Sequence, residues 1–368
     1  MAEPVKYVIL VKDKTGANSY EFEKATSLSW EWYENEVGRC KFVIPYNDVK
    51  LSSTSIPDNA FSEILIYRNQ ELVWQGFVAY VEDTKDGTAV YGLTYMEVLK
   101  YARTGYYGAS HDGTGFEFTN AQLNTIITSV YNAHQSDHIL KNRITLGTIQ
   151  TVYQTGTSTA KTITKTLFDE TLFELLTQFV AVGRADSPSG AWKQDTVFEV
   201  TFNSSTPILN FWRDVGTNKS DVIFELDSEI VDFNFGVDLR WLSNSVGGYG
   251  IQEGPKVLLS SQTDSTSITT YYRRHSQPFF GQVTTQSQLN EMTKDFLTQY
   301  KDPIKGFAIK LVAGLKPFDG YSMGDSIRVR INRGRVNVDQ FFRVVGMEVN
   351  LDQNGVEVVN PQLQIVRT

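Results

Sequence analysis

Two histidines and an aspartate lie close enough together in the sequence to suggest a metal site. His134 and His138 are four residues apart, a spacing that places two imidazole ligands on one face of a helix, and Asp137 lies beside them. However, the segment from Gln135 to His138 has the composition of a helix end that gives way to a loop, and no third ligand is evident. We therefore expect a solvated or capping role for these histidines and predict no metal site.

A short acidic and aromatic segment is the second place where chemistry could occur. It interleaves the residues Trp30, Glu31, Trp32, Tyr33, Glu34 and Glu36. Carboxylate pairs hydrolyse glycosides and carry no local motif, so a sugar-cleaving site is one hypothesis. The other is an alternating strand that packs its aromatic side chains inside and exposes its carboxylates to water. The sequence favours the strand.

Four arginines and one cysteine complete the candidates. Arg328 and Arg330 share one face of a predicted strand, and Arg333 and Arg335 continue the basic spacing. They could contact acidic neighbours or passing DNA, but a solvated hairpin tip explains them equally simply and is favoured. Cys40 lies in a strand-like run and is expected to be a small buried hydrophobic residue rather than a reactive thiol.

Known catalytic motifs are absent from the sequence. It has no zinc-protease helix, no phosphate-binding glycine loop and no nucleophile elbow. A single cysteine excludes an intramolecular disulfide and a site with several thiolate ligands. We therefore predict no catalytic, cofactor-binding or metal-binding residue, no cofactor and no enzymatic activity.

Composition restricts the class of protein further. The chain has 368 residues, of which 41% are hydrophobic, so two to four packed domains are expected. Its formal charge of −8 argues against a protein that coats nucleic acid, which requires a concentrated basic surface. The sequence shows no secretion signal and no apolar run long enough for a membrane helix, so we expect a soluble protein without stable membrane insertion.

Periodicity predicts a mainly β chain with an α+β insertion. Residues 1–103 read as a first β-domain, 104–220 as an inserted α+β domain and 221–368 as a second β-domain. Helical spacing of apolar residues predicts helices over 119–134, 171–182 and 287–300. Thr171 and Glu174 have the spacing of a capping box, and residues 151–166 read as a loop.

The two β-regions share one order of features. In the first, Ser62–Tyr67 is followed by Val73–Val81, an Asp86-Gly87 turn and Val90–Leu93. In the second, the corresponding segments are Gly324–Val329, Arg343–Val349, an Asn354-Gly355 turn and Val356–Val359. Glycines at matching places would allow bulges or sharp bends. We interpret the pattern as a duplication, which would give each chain two copies of one small β-barrel.

These segments resemble the tail-hub, or baseplate-hub, family of long-tailed bacteriophages and related contractile injection systems. Leu72–Val78 is similar to a hairpin of that family, and Tyr91–Leu99 is similar to its exit into a short helix. The segment Tyr271–Gly281, the helix Leu289–Tyr300 and Gly324–Val329 look like its second barrel. The resemblance implies two tube-like β-barrel domains with an α+β insertion between them.

The resemblance also implies a function. A hub is a homotrimer whose six barrels form a pseudo-sixfold ring, which adapts the hexameric tail tube to threefold proteins at the tip. Its expected partners are the distal tail protein ring, the tail tube, the tape-measure protein and a tip fibre or spike protein, with DNA passing only transiently. We expect such a subunit in the virion tail tip after assembly in the host cytoplasm. The alternatives are a carbohydrate-active or cell-wall-degrading tip enzyme and a receptor-binding module.

Overall fold

The computed structural model describes residues 5–13, 18–23, 25–50, 62–103, 116–135, 143–153, 160–167, 170–185, 195–203, 206–251, 257–280, 286–312, 320–351 and 355–365. The helices in these ranges are α1 (Leu123–Gln135), α2 (Leu172–Ala185), α3 (Ser265–Tyr271) and α4 (Gln286–Tyr300), with a 3₁₀ segment at Tyr95–Lys100. None of these described helices combines the length and apolar character needed to span a bilayer.

The strands outnumber the helices, which confirms the mainly β class. They are β1 (Tyr7–Lys12), β2 (Ser19–Phe22), β3 (Ser27–Tyr33), β4 (Arg39–Ile44), β5 (Glu63–Arg68), β6 (Glu71–Thr84), β7 (Gly87–Leu93), β8 (Phe116–Gln122), β9 (Thr145–Ile149), β10 (Thr162–Leu167), β11 (Asp195–Asn203), β12 (Thr206–Val215), β13 (Asn218–Glu225), β14 (Ile230–Asp238), β15 (Ser245–Ile251), β16 (Val257–Thr263), β17 (His275–Ser276), β18 (Phe279–Phe280), β19 (Ile304–Leu311), β20 (Ser326–Arg333), β21 (Val336–Leu351) and β22 (Glu357–Ile365).

The chain folds into two compact units. The first comprises Met1–Phe233 and Ala308–Thr368, and the second comprises Asn234–Phe307. The chain leaves the first unit within β14 and returns to it within β19. The three-domain division that the sequence suggests stays a prediction.

A 13-stranded sheet contains both β-regions. Its main path runs β14-β19-β22-β21-β3-β4-β7-β6-β5-β1-β2, with β20 on β21 and β13 on β20. In β4, alternation buries one face of the strand: Cys40, Phe42 and Ile44 point inward while Arg39 and Lys41 point outward. Strand pairing among the described residues does not close either region into a barrel, so the two barrels stay a prediction.

An α+β layer packs beside this sheet. Helix α2 buries its predicted apolar stripe, which includes Leu176, against β11 and the 3₁₀ segment. Helix α1 buries its own stripe, which includes Ile127, against α2, β8 and β9. The predicted capping box is present: Thr171 N donates to Glu174 Oε2 at 2.8 Å, and Glu174 N donates to Thr171 Oγ1 at 3.1 Å. The predicted loop 151–166 is wrong in part, because β10 begins at Thr162 and pairs with β8.

The second unit is a four-stranded sheet covered on one face by α4. The helix approaches β15 closely at Gly248, where an added Cβ would lie 2.2 Å from Thr293 Oγ1. The sequence predicts Met292 in the buried stripe of this helix, but Met292 is 42% exposed and Thr293 is fully buried instead. Leu289 and Leu297 are buried as predicted, and Thr293 takes the place of Met292 because only a small side chain fits over the glycine.

Candidate assembly interface

The two β-regions share a backbone hydrogen bond and a bulge at matching places. In the first, Val78 N donates to Ser62 O at 2.7 Å, and in the second, Val344 N donates to Asp325 O at 2.9 Å. A bulge follows each donor directly, because the register shifts between Val78 and Tyr80 and between Val344 and Gly346. The matching bonds and bulges equate β5, β6 and β7 with β20, β21 and β22.

Their flanking strands extend the equivalence. β4 pairs with β7 and is itself paired with β3, while β19 pairs with β22 and is itself paired with β14. The sheet therefore contains two four-stranded halves in the same order, β3-β4-β7-β6 and β14-β19-β22-β21. The sequence comparison matched Gly76 with Gly346, but these glycines are not equivalent in the structure. Gly76 lies before the bulge of β6, whereas Gly346 lies after the bulge of β21.

The halves meet where β3 pairs with β21. Six consecutive antiparallel pairs run from Gly346↔Tyr33 to Leu351↔Leu28. These pairs involve only the part of β21 beyond its bulge, whereas the part before it pairs with β20. The second half thus contributes the part of β21 beyond the bulge, and the first half contributes β3.

Two buried ion pairs fasten the same junction. Arg343 Nη2 lies 2.6 Å from Glu34 Oε1, and these side chains are only 5% and 4% exposed. Arg343 Nη1 also donates to the carbonyls of Val215 and Gly324, at 2.8 and 2.7 Å. Gly324 has a φ of +85°, and a Cβ there would lie 3.1 Å from Glu34 Oε1, so glycine is required beside the pair.

The second ion pair joins β5 to β22. Arg68 binds Glu357 through two nitrogens, with Nη2 2.7 Å from Oε2 and Nε 3.0 Å from Oε1. Tyr7 Oη donates to the same carboxylate at 3.0 Å. Burial and the Glu357 carboxylate raise the pKa of Tyr7 above its ordinary value. Fully satisfied buried charges of this kind fix one arrangement of their elements.

Each half also has an edge that no described strand covers. Beyond Val78, β6 pairs with β7 on one side, and among the described strands none lies along its other side. β14 is the last strand at one end of the sheet; among the described strands it pairs with β19 on one side and has no neighbour on the other. On β14, Val231 and Val237 are 53% and 50% exposed and alternate with polar residues. Exposed apolar edge strands are ready to pair with another strand.

The outward face of the sheet at the junction is polar. Glu31 and Glu348 lie directly opposite each other, and Tyr33 Oη lies within hydrogen-bonding distance of both carboxylates. Burial raises the pKa of Glu31, and Arg39, 3.7 Å away, lowers it less. Lys41 lies 4.9 Å from the centre of the Tyr91 ring on the same face.

The acidic and aromatic segment therefore divides between two roles. The predicted alternation is correct for Trp30, which is 2% exposed. The prediction that all the carboxylates face water is wrong for Glu34, because the segment turns after Tyr33 and directs this side chain to Arg343. The Glu34 carboxylate is therefore buried against the Arg343 guanidinium and is not exposed to a substrate in solvent.

The histidine prediction is wrong for one residue and lies outside the described residues for the other. His134 is 1% exposed in the last turn of α1, so its ring is buried rather than solvated. His138 and Asp137 fall outside the described ranges. Within those ranges, no group of three potential metal ligands is present.

Cys40 behaves as predicted, whereas the side chains of Arg328 and Arg330 are only 34% and 36% exposed and lie within β20 rather than at a solvated tip. Cys40 is 4% exposed, and burial raises the pKa of its thiol. Arg328 lies on the β20–β21 hairpin, where its Nε is 2.7 Å from Asp339 Oδ1, and Arg330 lies 3.5 Å from the same atom. Arg333 lies 3.8 Å from Asp227, so three of the four arginines are balanced by carboxylates at an exposed hairpin.

Sequence reasoning missed the two ion pairs, whose side chains are all at most 5% exposed. Their partners are separated by 309 residues for Arg343 and Glu34 and by 289 residues for Arg68 and Glu357. The available signal was weak: an arginine inside an otherwise apolar strand, as in Phe341-Phe342-Arg343-Val344. Such an arginine requires a buried acid, but the sequence does not say which one.

The architecture has known counterparts among solved structures. It is similar to the 43 kDa tail protein of prophage MuSo2 from Shewanella oneidensis, with a TM-score of 0.67, 14% identity and 98% of each chain covered. A tail protein from Neisseria meningitidis MC58 gives a TM-score of 0.65 at 12% identity, covering 97% of this chain and 96% of that one. A chain of the Francisella PdpA–VgrG complex gives 0.53 at 11% identity, covering 99% of this chain but 53% of that one.

Sequence comparison alone finds no counterpart, since no protein-family profile and no curated protein matches the chain. At 11–14% identity the structural likeness establishes a shared fold. Two of these neighbours are tail proteins, one of them from a prophage, so the resemblance drawn from the sequence is confirmed at the level of the fold.

Proposed function

We propose that this chain, which has the fold of phage tail proteins, is a structural subunit of a tail tip or baseplate. In this proposal it is a hub: three copies close into a ring with pseudo-sixfold symmetry. The observation that carries the proposal is the pair of open edges on a duplicated sheet. A structural role in a tail is also what the neighbouring folds favour.

The internal junction supplies the geometry for ring closure. Within one chain, β3 lies along the part of β21 beyond the bulge. The equivalent part of β6 is open among the described strands, and β14, the equivalent of β3, is open as well. Adding β14 of one copy to β6 of the next would repeat the internal junction between copies. Because the two edges differ, the contact is heterologous, and such contacts close into rings when the rotation permits.

A ring of this kind would present its uncovered sheet face to a central channel. That face carries Glu31, Tyr33, Lys41 and Tyr91, so both signs of charge and hydroxyl groups are interspersed. A mixed polar surface binds DNA weakly, which suits transient passage. We propose the tail tube, distal tail ring, tape-measure protein and a tip fibre or spike as the other partners, because a sixfold-to-threefold adapter must contact each class.

The second candidate function is that of a tail-tip enzyme that cleaves cell-wall glycosides. The one observation in its favour is the opposed carboxylate pair of Glu31 and Glu348, where the Glu31 pKa is raised. If Glu31→Gln abolished a wall-lysis activity of the purified protein, this function would replace the hub. No observation separately favours a receptor-binding module.

Cysteine cross-linking tests the hub directly, because the native Cys40 is buried and gives no background. One double variant combines Val81→Cys with Val237→Cys, and a second, for a different register, combines Asp83→Cys with Val231→Cys. Oxidation of at least one is expected to give a covalent series that ends at three chains, while each single-cysteine variant gives at most a dimer. Native mass spectrometry should give three chains for the wild type, alone or with a hexameric distal tail ring. A chain that stays monomeric in both conditions, with no cross-linked series, would overturn the proposal.

A further inference from the structure

Exposed apolar side chains are concentrated in the second unit. Sixteen large hydrophobic residues are exposed among the described residues, and nine of them lie within Asn234–Phe307. Single exposed apolar residues are normal, but a contiguous group marks a binding surface. The group on the sheet of this unit is contiguous.

Strand pairing places four of these residues on one face. Tyr249 pairs with Leu259 on one side and with Phe279 on the other, and Val257 lies two residues from Leu259. The rings of Tyr249 and Phe279 are 5.0 Å apart. Helix α4 covers the opposite face, where Gly248 meets Thr293. Leu259 is 71% and Val257 is 61% exposed, so this face is open in the described part of the chain.

The other end of the same face is basic. His275 pairs with Ser245 at the far end of β15, and Arg273 and Arg274 directly precede it. Both arginines are exposed. Neither forms an ion pair with a described carboxylate, unlike Arg240 in the same unit, whose Nη2 lies 2.7 Å from Asp238. The face is therefore apolar at one end and carries uncompensated positive charge at the other.

A buried asparagine fixes the backbone at the basic end. Asn244 is fully buried; its Nδ2 donates to Tyr272 O at 2.8 Å, and its Oδ1 accepts from Arg274 N at 2.7 Å. Tyr272 is held at a φ of +61°, a conformation unfavourable for tyrosine, and its side chain is 84% exposed. Rigid presentation of tyrosine and arginine lowers the entropy lost on binding and is characteristic of protein interfaces.

We propose that this face binds a segment of another protein that has apolar side chains at one end and carboxylates at the other. The unpaired arginines require acidic partners, and the aliphatic Val257 and Leu259 require apolar ones. Nucleic acid fits less well, because the most exposed side chains of the apolar end, Leu259 and Val257, are aliphatic and offer no ring on which a base could stack. A twofold contact between two copies would place the arginines of one on the apolar end of the other, without carboxylates.

Two labelled peptides test the proposal with the full-length protein. One ten-residue peptide carries leucine, valine and phenylalanine at one end and four glutamates at the other; its comparator has lysines in place of the glutamates. Fluorescence anisotropy should show binding of the acidic peptide and at least tenfold weaker binding of the basic one. Binding of the acidic peptide should be at least tenfold weaker in the Leu259→Glu variant. The same loss is expected in the double variant Arg273→Glu with Arg274→Glu.

Matched variants elsewhere provide the controls. Leu72→Glu changes another exposed leucine, and Arg335→Glu changes another exposed arginine, so neither should alter binding. Equal binding of both peptides, unchanged affinity in the Leu259 and arginine variants, or stronger binding of a 20-nucleotide single-stranded DNA would each overturn the inference. Ring formation is measured in the same variants by mass, so loss of peptide binding and loss of the proposed hub are distinguished.

Discussion

Arg343 and Glu34 form a buried ion pair across the junction of the two sheet halves, with 2.6 Å between Nη2 and Oε1. Removing only the guanidinium would leave a carboxylate buried without its partner. We expect Arg343→Met to lower the free energy of unfolding by about 3–5 kcal/mol, measured by urea denaturation. Arg328→Met, which breaks a solvent-screened pair with Asp339, should lower the free energy of unfolding far less.

A second variant separates charge burial from packing. Arg343→Met combined with Glu34→Leu removes both charges, so most of the lost stability should return, because a neutral pair leaves no buried charge unpaired. If the double variant were no more stable than Arg343→Met, loss of the hydrogen bonds to Val215 and Gly324 would be the main cause, not the charge of Glu34.

Local patterns in the sequence predicted local structure well. The capping box of Thr171 and Glu174 and the Asp86-Gly87 turn were recognisable because each depends on neighbours within three residues. Helix α3 was missed, since Ser265–Tyr271 has no apolar stripe and depends on Asp264 accepting from Ser267 N at its N-cap. The junction could not be predicted, because the partners of β3 and β21 are set by contacts across some three hundred residues.

Tyr7 is expected to make stability fall at alkaline pH. Its pKa is raised in the folded protein, chiefly by burial and then by Glu357, so the unfolded chain loses this proton first as pH rises. The stabilising contribution is complete below the ordinary tyrosine pKa of about 10 and is lost progressively above it. Tyr7→Phe should therefore reduce the loss of stability between about pH 9.5 and 11, measured by urea denaturation at each pH.

The control for this prediction is Tyr20→Phe, a hydroxyl removal at another tyrosine of the same sheet region. It should leave the alkaline slope unchanged. At neutral pH, Tyr7→Phe should also cost about 1 kcal/mol, because Glu357 loses one hydrogen-bond donor. An identical alkaline slope in the wild type and in Tyr7→Phe would contradict the assignment.

Glu31 is expected to destabilise the junction at neutral pH relative to acid pH. Its pKa is raised mainly by burial, so the folded protein takes up this proton more readily than the unfolded chain does. Stability contributed by the protonated form is present below the ordinary glutamate pKa of about 4.3 and is lost as pH rises through the higher folded value. Glu31→Gln should raise the thermal midpoint at pH 7 more than at pH 4. Glu21→Gln, at an exposed position on β2, provides the matched control and should change both midpoints equally.

The open edge of β14 is expected to control assembly without controlling folding. Lysine on an edge strand opposes pairing with another strand, so Val237→Lys should reduce the proportion of three-chain rings seen by native mass spectrometry. Since Val237 is 50% exposed, the thermal midpoint of the monomer should change little. Val356→Lys replaces another exposed valine, 44% exposed, outside the proposed contact and should leave assembly intact. Equal assembly by both variants would remove β14 from the interface.

Any side chain at Gly248 is expected to destabilise the second unit, because α4 passes directly over this position. A Cβ at this position would lie 2.2 Å from Thr293 Oγ1, so Gly248→Ala should force the helix away and cost about 1–3 kcal/mol. The neighbouring Gly247→Ala is the matched control, since its nearest contact would be an ordinary 3.5 Å to the His275 ring. Hydrogen exchange of the α4 amides measures the effect within this unit. Faster exchange should appear in Gly248→Ala alone, and Thr293→Ala in the same chain should reverse part of it by removing the hydroxyl that clashes.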